Sequence, residues 1–301
     1  MSVGEAPKAA RELLGARMFL VGYLPTFAAG AVLLILGLAR DKGLWQAVTT
    51  LTFGQVLTGL LVLTVLVVLL HPLQLPMVRL LEGYWPRWAT PLATYGRHRQ
   101  ERRRRRLAAA AELPDTDDHE ALQRAGQAGE RLRLAFPGGD RPLLPTALGN
   151  ALSAAESRAG REYGFDGIVA WPRLYPLLGE QVRAVVGDRR DGMDAAARFS
   201  VTMLVTAVLA VPVLAGTGWW PLLAAVPLAL SRLAYLGAVH TAVGYGEALR
   251  VAFDLHRFDL LRALHLPLPA DQDAERAANA TLCTMWRQDP SARLTYDHGP
   301  E

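Results

Sequence analysis

Four stretches of this 301-residue chain are nearly free of charge, and their length constrains the fold more than any other feature. Met18–Leu38, MFLVGYLPTFAAGAVLLILGL, is 21 residues long. At a rise of about 1.5 Å per residue, a helix of that length crosses the roughly 30 Å hydrocarbon layer of a bilayer. A second run covers about Val48–Leu70 and closes on LLVLTVLVVLL before His71-Pro72. After a long polar interval come Phe199–Ala215 and Trp219 to about Val239, joined by the aromatic turn Gly216-Thr217-Gly218-Trp219-Trp220-Pro221. Paired tryptophans suit a bilayer boundary, where an amphipathic ring is half wetted. The first run exceeds a usual signal core and a second follows closely, so an uncleaved span is expected.

The reading is an all-α integral membrane protein with two transmembrane hairpins, four spans in all. A helical cytoplasmic domain is formed by the middle segment and the C-terminal tail. Its parts are 1–70 (first hairpin, spans 18–38 and 48–70), 71–106 (juxtamembrane segment), 107–197 (helical region), 198–243 (second hairpin, spans 199–215 and 219–239) and 244–301 (C-terminal helices). Composition agrees: 51% hydrophobic residues and a mean hydropathy of +0.16 suit a membrane part joined to a large water-exposed part.

Orientation follows from basic residues flanking the spans. The first outer loop holds Arg40 and Lys42 and the second holds none, whereas Lys8, Arg11 and Arg17 precede the first span. After the second span come Arg79, Arg87 and the run GRHRQERRRRRL, with seven arginines between Arg97 and Arg106. Both termini and the middle segment are therefore expected on the cytoplasmic side of the cell membrane. Of 32 basic residues only Lys8 and Lys42 are lysine, a bias that reflects GC-rich coding. It weakens any argument from the arginine fork alone.

The segment before the run mixes prolines, arginines and Tyr84, Trp85 and Trp88, a composition that lies along an interface. Arg79, Trp85, Arg87, Trp88, Arg102, Arg103, Arg104, Arg105 and Arg106 are the expected membrane-surface contacts. Anionic inner-leaflet lipids are the expected partner, each basic residue near the surface adding about 1 kcal/mol. A solvated helix face paired with nearby acids is the alternative. No nucleic-acid recognition module accompanies the run.

In the middle segment, Asp115-Thr116-Asp117-Asp118-His119-Glu120 reads as a helix start, with Asp117 and Glu120 in capping spacing. The helix carries Leu122, Ala125, Gly129, Leu132 and Phe136 on a narrow stripe and ends at Pro137-Gly138-Gly139. Thr146 is placed to cap a helix with Leu148, Ala151, Leu152, Ala155 and Ala159 on one face, ended by Gly164. Pro172 is expected in the first turn of the next helix, with Trp171, Leu174, Tyr175, Leu178 and Val182 on its stripe. Asn150, Glu156, Asp166, Trp171 and Arg173 read either as a polar site or as capping, packing and anchoring residues.

The pattern LPT-A-LGN, then YGFD, WPRL and the later AFDLHR, resembles that of multi-pass membrane proteins of high-GC actinomycete bacteria. The likeness covers 143–178 and 252–264. It implies a membrane setting and supplies no mechanism.

Arg232 falls inside the fourth run, where charge is costly and often functional; it either snorkels to a lipid phosphate or faces an ion or substrate path. His240, one residue past that run, is the second intramembrane polar candidate. Glu247–Leu266 continues the helix with Leu249, Phe253, His256, Leu260 and Leu264 on one face, which needs a partner. The partner is either the middle segment or a second protein, including another copy. Asp254 and Arg257 are spaced as a surface pair. A last helix is expected over Asp271–Arg287. It holds Cys283, the only cysteine, which excludes an intramolecular disulfide.

No HExxH, GxSxG, phosphate-binding loop or GxGxxG motif occurs, so no catalytic residue, metal or cofactor is assigned. The expected function is a membrane-anchored helical interaction or sensing module. A homo-oligomeric pore with a cytoplasmic helical collar is the alternative, and a membrane-embedded enzyme a remoter one.

Overall fold

A computed structural model describes residues 24–40, 43, 46, 49–70, 74–113, 118–139, 141–215, 218–289 and 293–297. Lys8, Arg11, Arg17, Met18–Tyr23, Lys42, Val48, His71-Pro72, Asp115–Asp117 and Gly216-Thr217 lie outside the described residues. The architecture is all-helical, 81% helix, with no strand among the described residues.

The helices are α1 (Leu24–Arg40), α2 (Phe53–Leu70), α3 (Gln74–Glu82), α4 (Thr90–Ala111), α5 (His119–Ala135), α6 (Ala147–Arg158), α7 (Gly167–Leu174), α8 (Glu180–Val213), α9 (Ala225–Ala263) and α10 (Gln272–Trp286). Short 3-10 turns occupy Arg87–Ala89, Arg161–Tyr163, Tyr175–Leu177 and Trp220–Ala224. Two compact units result: Met1–Leu81 with Asp191–Ala238, and Glu82–Arg190 with Val239–Glu301.

In the first unit the interior is small. Leu36 of α1 meets Ala210, Leu214 and Ala224, with Val32, Leu33, Trp220 and Leu223 around them. Along α8 and the residue after it, Ala197, Ser200, Met203, Ala207, Ala210 and Leu214 are buried at helical spacing; on the part of α9 in this unit the buried positions are Pro227, Ser231 and Ala238. Small residues there let two backbones approach closely. The crossing is fastened by a reciprocal pair: Ser200 Oγ donates to Ser231 O (3.0 Å) and Ser231 Oγ donates to Ser200 O (2.7 Å).

The rest of this unit turns large apolar side chains outward. Phe53, Leu61, Leu69, Val208 and Leu233 are all more than 60% exposed. Two segments, Glu180–Val213 and Trp220–Ala263, are long and apolar enough to cross a membrane, each with a stretch of mean hydropathy 1.8.

The second unit has an ordinary interior. Phe253, Leu260, Leu261 and Leu249 of α9 pack with Leu174, Phe165, Leu282 and Cys283. At its edge, α6 starts on a closed latch. Gly149 N donates to the Thr146 side chain (3.1 Å), and Leu144 N donates to Asn150 Oδ1 (2.9 Å). Asn150 Nδ2 returns bonds to Leu144 O and Thr146 O, both 2.8 Å. A Cβ on Gly149 would lie 1.9 Å from Glu82 O, so only glycine admits that backbone so near the helix.

Several local expectations are corrected. The third apolar run is only part of a longer helix, since α8 begins at Glu180, and α9 carries the fourth run on to Ala263, three residues short of the expected Leu266. Charged residues are good helix formers, so losing hydropathy does not end a helix. The N-cap of α5 is Asp118, whose side chain accepts from Glu120 N (3.0 Å). Left-handed Gly160, φ 72°, ends α6 four residues before Gly164. Pro172 sits in the second turn of α7, because Asp166 caps that helix by accepting from Ile168 N (3.0 Å).

Asp254 and Arg257 do not pair through their side chains. Tyr163 Oη donates to Asp254 (2.8 Å), and Arg257 Nε donates to Glu275 Oε1 (2.9 Å). Arg257 also donates to the Asp254 carbonyl and lies 4.2 Å over the Tyr163 ring. Three-residue spacing gave no view of α10, which supplies the partner.

Candidate membrane-surface face and an apolar groove

The arginine run lies on α4, and packing sorts its side chains. Ala93 and Gln100 are buried, Gly96 backs onto Pro145, and Arg104 and Leu107 are half-buried. Those positions fall on one side of a helix turning about 100° per residue. Arg103 is exposed, with its guanidinium 5.9 Å from the Phe136 ring, and Arg105 donates to Glu101 at 2.8 Å.

About 120° round the helix from these positions runs a continuous exposed stripe. Leu92, Tyr95, Arg99, Arg102 and Arg106 recur at three- and four-residue steps, and Trp88 lies one turn before Leu92. Trp88 is 82% exposed and Tyr95 70%, values that no packing within this unit accounts for. The stripe is therefore apolar and aromatic at its N-terminal end and cationic at its C-terminal end. Arg99, Arg102 and Arg106 have no carboxylate partner among the described residues.

Of the expected surface contacts, Arg79 on α3 is exposed, as are Arg87, Trp88, Arg102, Arg103, Arg105 and Arg106. Trp85 and Arg104 are half-buried. Leu92, Tyr95 and Arg99 were missed; stepping by three and four from Trp88 would have found them.

The polar residues of the middle segment serve the interior. Asn150 closes the α6 latch. Asp166 caps α7, bonds Arg287, faces Arg141 at 3.7 Å, and its N–H donates to Cys283 Sγ (3.2 Å). Arg173 lies 4.6 Å over Trp286, and Trp171 packs on Phe253 with centroids 6.2 Å apart. Burial holds the Cys283 thiol above its ordinary pKa, which makes it a poor nucleophile. Burial also raises Glu156, with Arg141 opposing the shift and Asp166 adding to it. Among the described residues no group of His, Cys, Asp or Glu is arranged to hold a metal ion.

The apolar face of the Glu247–Leu266 segment is occupied within the chain, since Leu249, Phe253 and Leu260 belong to the interior described above. His256 is half-buried, 2.9 Å from Asp259. His240 is exposed on α9.

Arg232 has different surroundings. In the first unit it lines an apolar groove of about 610 Å³ with Leu204, Ala225, Leu228, Ala229 and Tyr235. Ser200 and Ser231 also line it. Their hydroxyl protons are committed to each other's carbonyls. The Arg232 guanidinium lies 5.9 Å from the Tyr235 ring and has no carboxylate or hydrogen-bond partner among the described residues. Two residues before Ser200, Arg198 Nε is buried and unbonded. A groove of this size falls in the roughly 300–1,000 Å³ range of small-molecule sites.

No family model, curated protein or solved structure matches the chain.

Proposed function

We propose that this is a membrane-anchored helical module of the cell membrane, multi-pass, with both termini and the Glu82–Arg190 region on the cytoplasmic side. Its α4 stripe rests on the anionic inner leaflet and presents the remaining helical surface to partners. The stripe itself carries the proposal. Exposed Trp88, Leu92 and Tyr95 would cost solubility in water, yet they suit the interface between headgroups and acyl chains. Arg99, Arg102 and Arg106 continue the same face and supply attraction to phospholipid phosphates. The four-span arrangement belongs to the same proposal, supported by the apolar exterior of α2, α8 and α9.

The test places an environment-sensitive fluorophore on Tyr95→Cys in the full chain, in a Cys283→Ala background, reconstituted in nanodiscs. A blue shift is expected when phosphatidylglycerol replaces phosphatidylcholine, and it disappears in the Arg99/Arg102/Arg106→Gln variant. Emission that ignores lipid charge rejects the contact.

A further inference from the structure

We infer that the groove beside Arg232 binds one anionic phospholipid, its phosphate on the guanidinium and an acyl chain along Leu204, Ala225, Leu228 and Ala229. The inference rests on the reading that this unit lies in a bilayer. It concerns a different surface from the α4 stripe.

Three observations carry it. First, the groove is apolar along its length, and Leu204 and Leu228 remain 43% and 50% exposed at its wall. Only a ligand with hydrocarbon gains from covering them. Second, the groove holds one cation, and among the described residues no carboxylate neutralises it. An unpaired charge in apolar surroundings is expensive, so the complementary ligand brings a negative charge. Third, the serine hydroxyls at the crossing have spent their donors on backbone carbonyls. The guanidinium is the one charged group among the residues lining the groove, and its planar fork fits two phosphate oxygens at once. A free phosphate would satisfy the charge and leave the wall uncovered; a zwitterionic lipid would add a second cation beside Arg232.

The experiment uses full-length protein in mild detergent, carrying Arg99/Arg102/Arg106→Gln to remove binding at the stripe. Lipids retained per protomer are counted by native mass spectrometry with chain-matched phosphatidylglycerol and phosphatidylcholine. One phosphatidylglycerol is expected in preference to phosphatidylcholine. Arg232→Ala should weaken its retention about tenfold or more, the loss typical of a hydrogen bond to a charged group. Arg232→Lys should lose less, and Ala229→Trp should expel the lipid by filling the groove. Equal retention of phosphatidylglycerol with and without Arg232 overturns the inference, as does a parent protein that holds phosphatidylcholine as tightly. Extraction by alkaline carbonate tests the bilayer reading separately. A protein that resists extraction yet keeps no phosphatidylglycerol defeats the groove alone.

Discussion

Arg257 and Arg232 both lie beside a tyrosine ring, one in each unit, and their surroundings differ in kind. Arg257 is 4.2 Å over Tyr163, donates to Glu275 and is largely covered. Arg232 is 5.9 Å from Tyr235 and meets no carboxylate among the described residues. The apolar residues divide similarly: Phe253 is fully buried in its unit, whereas Val208 is 63% exposed in the other. Around Phe253 and Arg257 one unit completes its interactions internally, its α4 stripe apart; the other leaves charge and hydrocarbon over most of its surface for its surroundings to complete. An apolar exterior is stable only where the solvent is apolar too.

The largest effect that would sharpen this contrast lies at Glu275, which is 5% exposed. Arg257→Ala strands that carboxylate, and a melt in detergent should show about 3–5 kcal/mol lost from the cored unit. Arg257→Met with Glu275→Leu should recover most of it, because apolar replacement of both partners leaves no buried charge.

Next come two exposed valines. If Val208 faces lipid, Val208→Asp should cost about 3 kcal/mol of insertion, read as protein lost from the carbonate-resistant fraction. Val251, 48% exposed in the cored unit, should accept Val251→Asp within about 0.5 kcal/mol. Equal tolerance at both positions would break the comparison.

The Ser200–Ser231 crossing should be worth less than its geometry suggests. Removing one hydroxyl by Ser200→Ala should cost about 0.6 kcal/mol and no more than about 1.7 kcal/mol, since a helix in lipid finds other partners. Unfolding in mixed micelles measures it.

The smallest effect is the pH response of Glu156. Its folded-state pKa stands above the ordinary carboxylate value, chiefly through burial. The folded chain therefore holds that proton more tightly than the unfolded chain. The contribution is complete below the unfolded pKa and is lost as pH rises through the folded one. The side chain is 48% exposed, so solvent screening keeps the slope shallow. Glu156→Gln should flatten the melting temperature against pH across that window, and an unchanged slope assigns the response to another group.

Much of the architecture was legible because it rests on local rules. The cap Thr146 and the last helix follow from short-range chemistry, since a side-chain oxygen reaches only backbone N–H groups two or three residues away. The helix ends at Gly160 and Ala263 were not legible. They depend on a left-handed glycine chosen among several and on where apolar packing stops.

The polar residues of the LGN, YGFD and WPRL strings read equally as a polar site or as caps and packing residues, because a short string gives no depth. In the fold they form the α6 latch, the Asp166 cap and the wall around Phe253. The groove at Arg232 was invisible beyond the arginine itself, because Leu204 and Leu228 meet only across two antiparallel helices.

The amino-acid order alone determined that the chain is helical, that charge avoids four long runs, and that arginine crowds one helix. Periodicity, propensity and hydropathy are properties of neighbours along the chain. Tertiary structure decided which arginines are covered, which face of α4 is left bare, and that Arg257 bonds Glu275 rather than Asp254. Those outcomes depend on distances between residues far apart in sequence, which are set only when helices pack side by side.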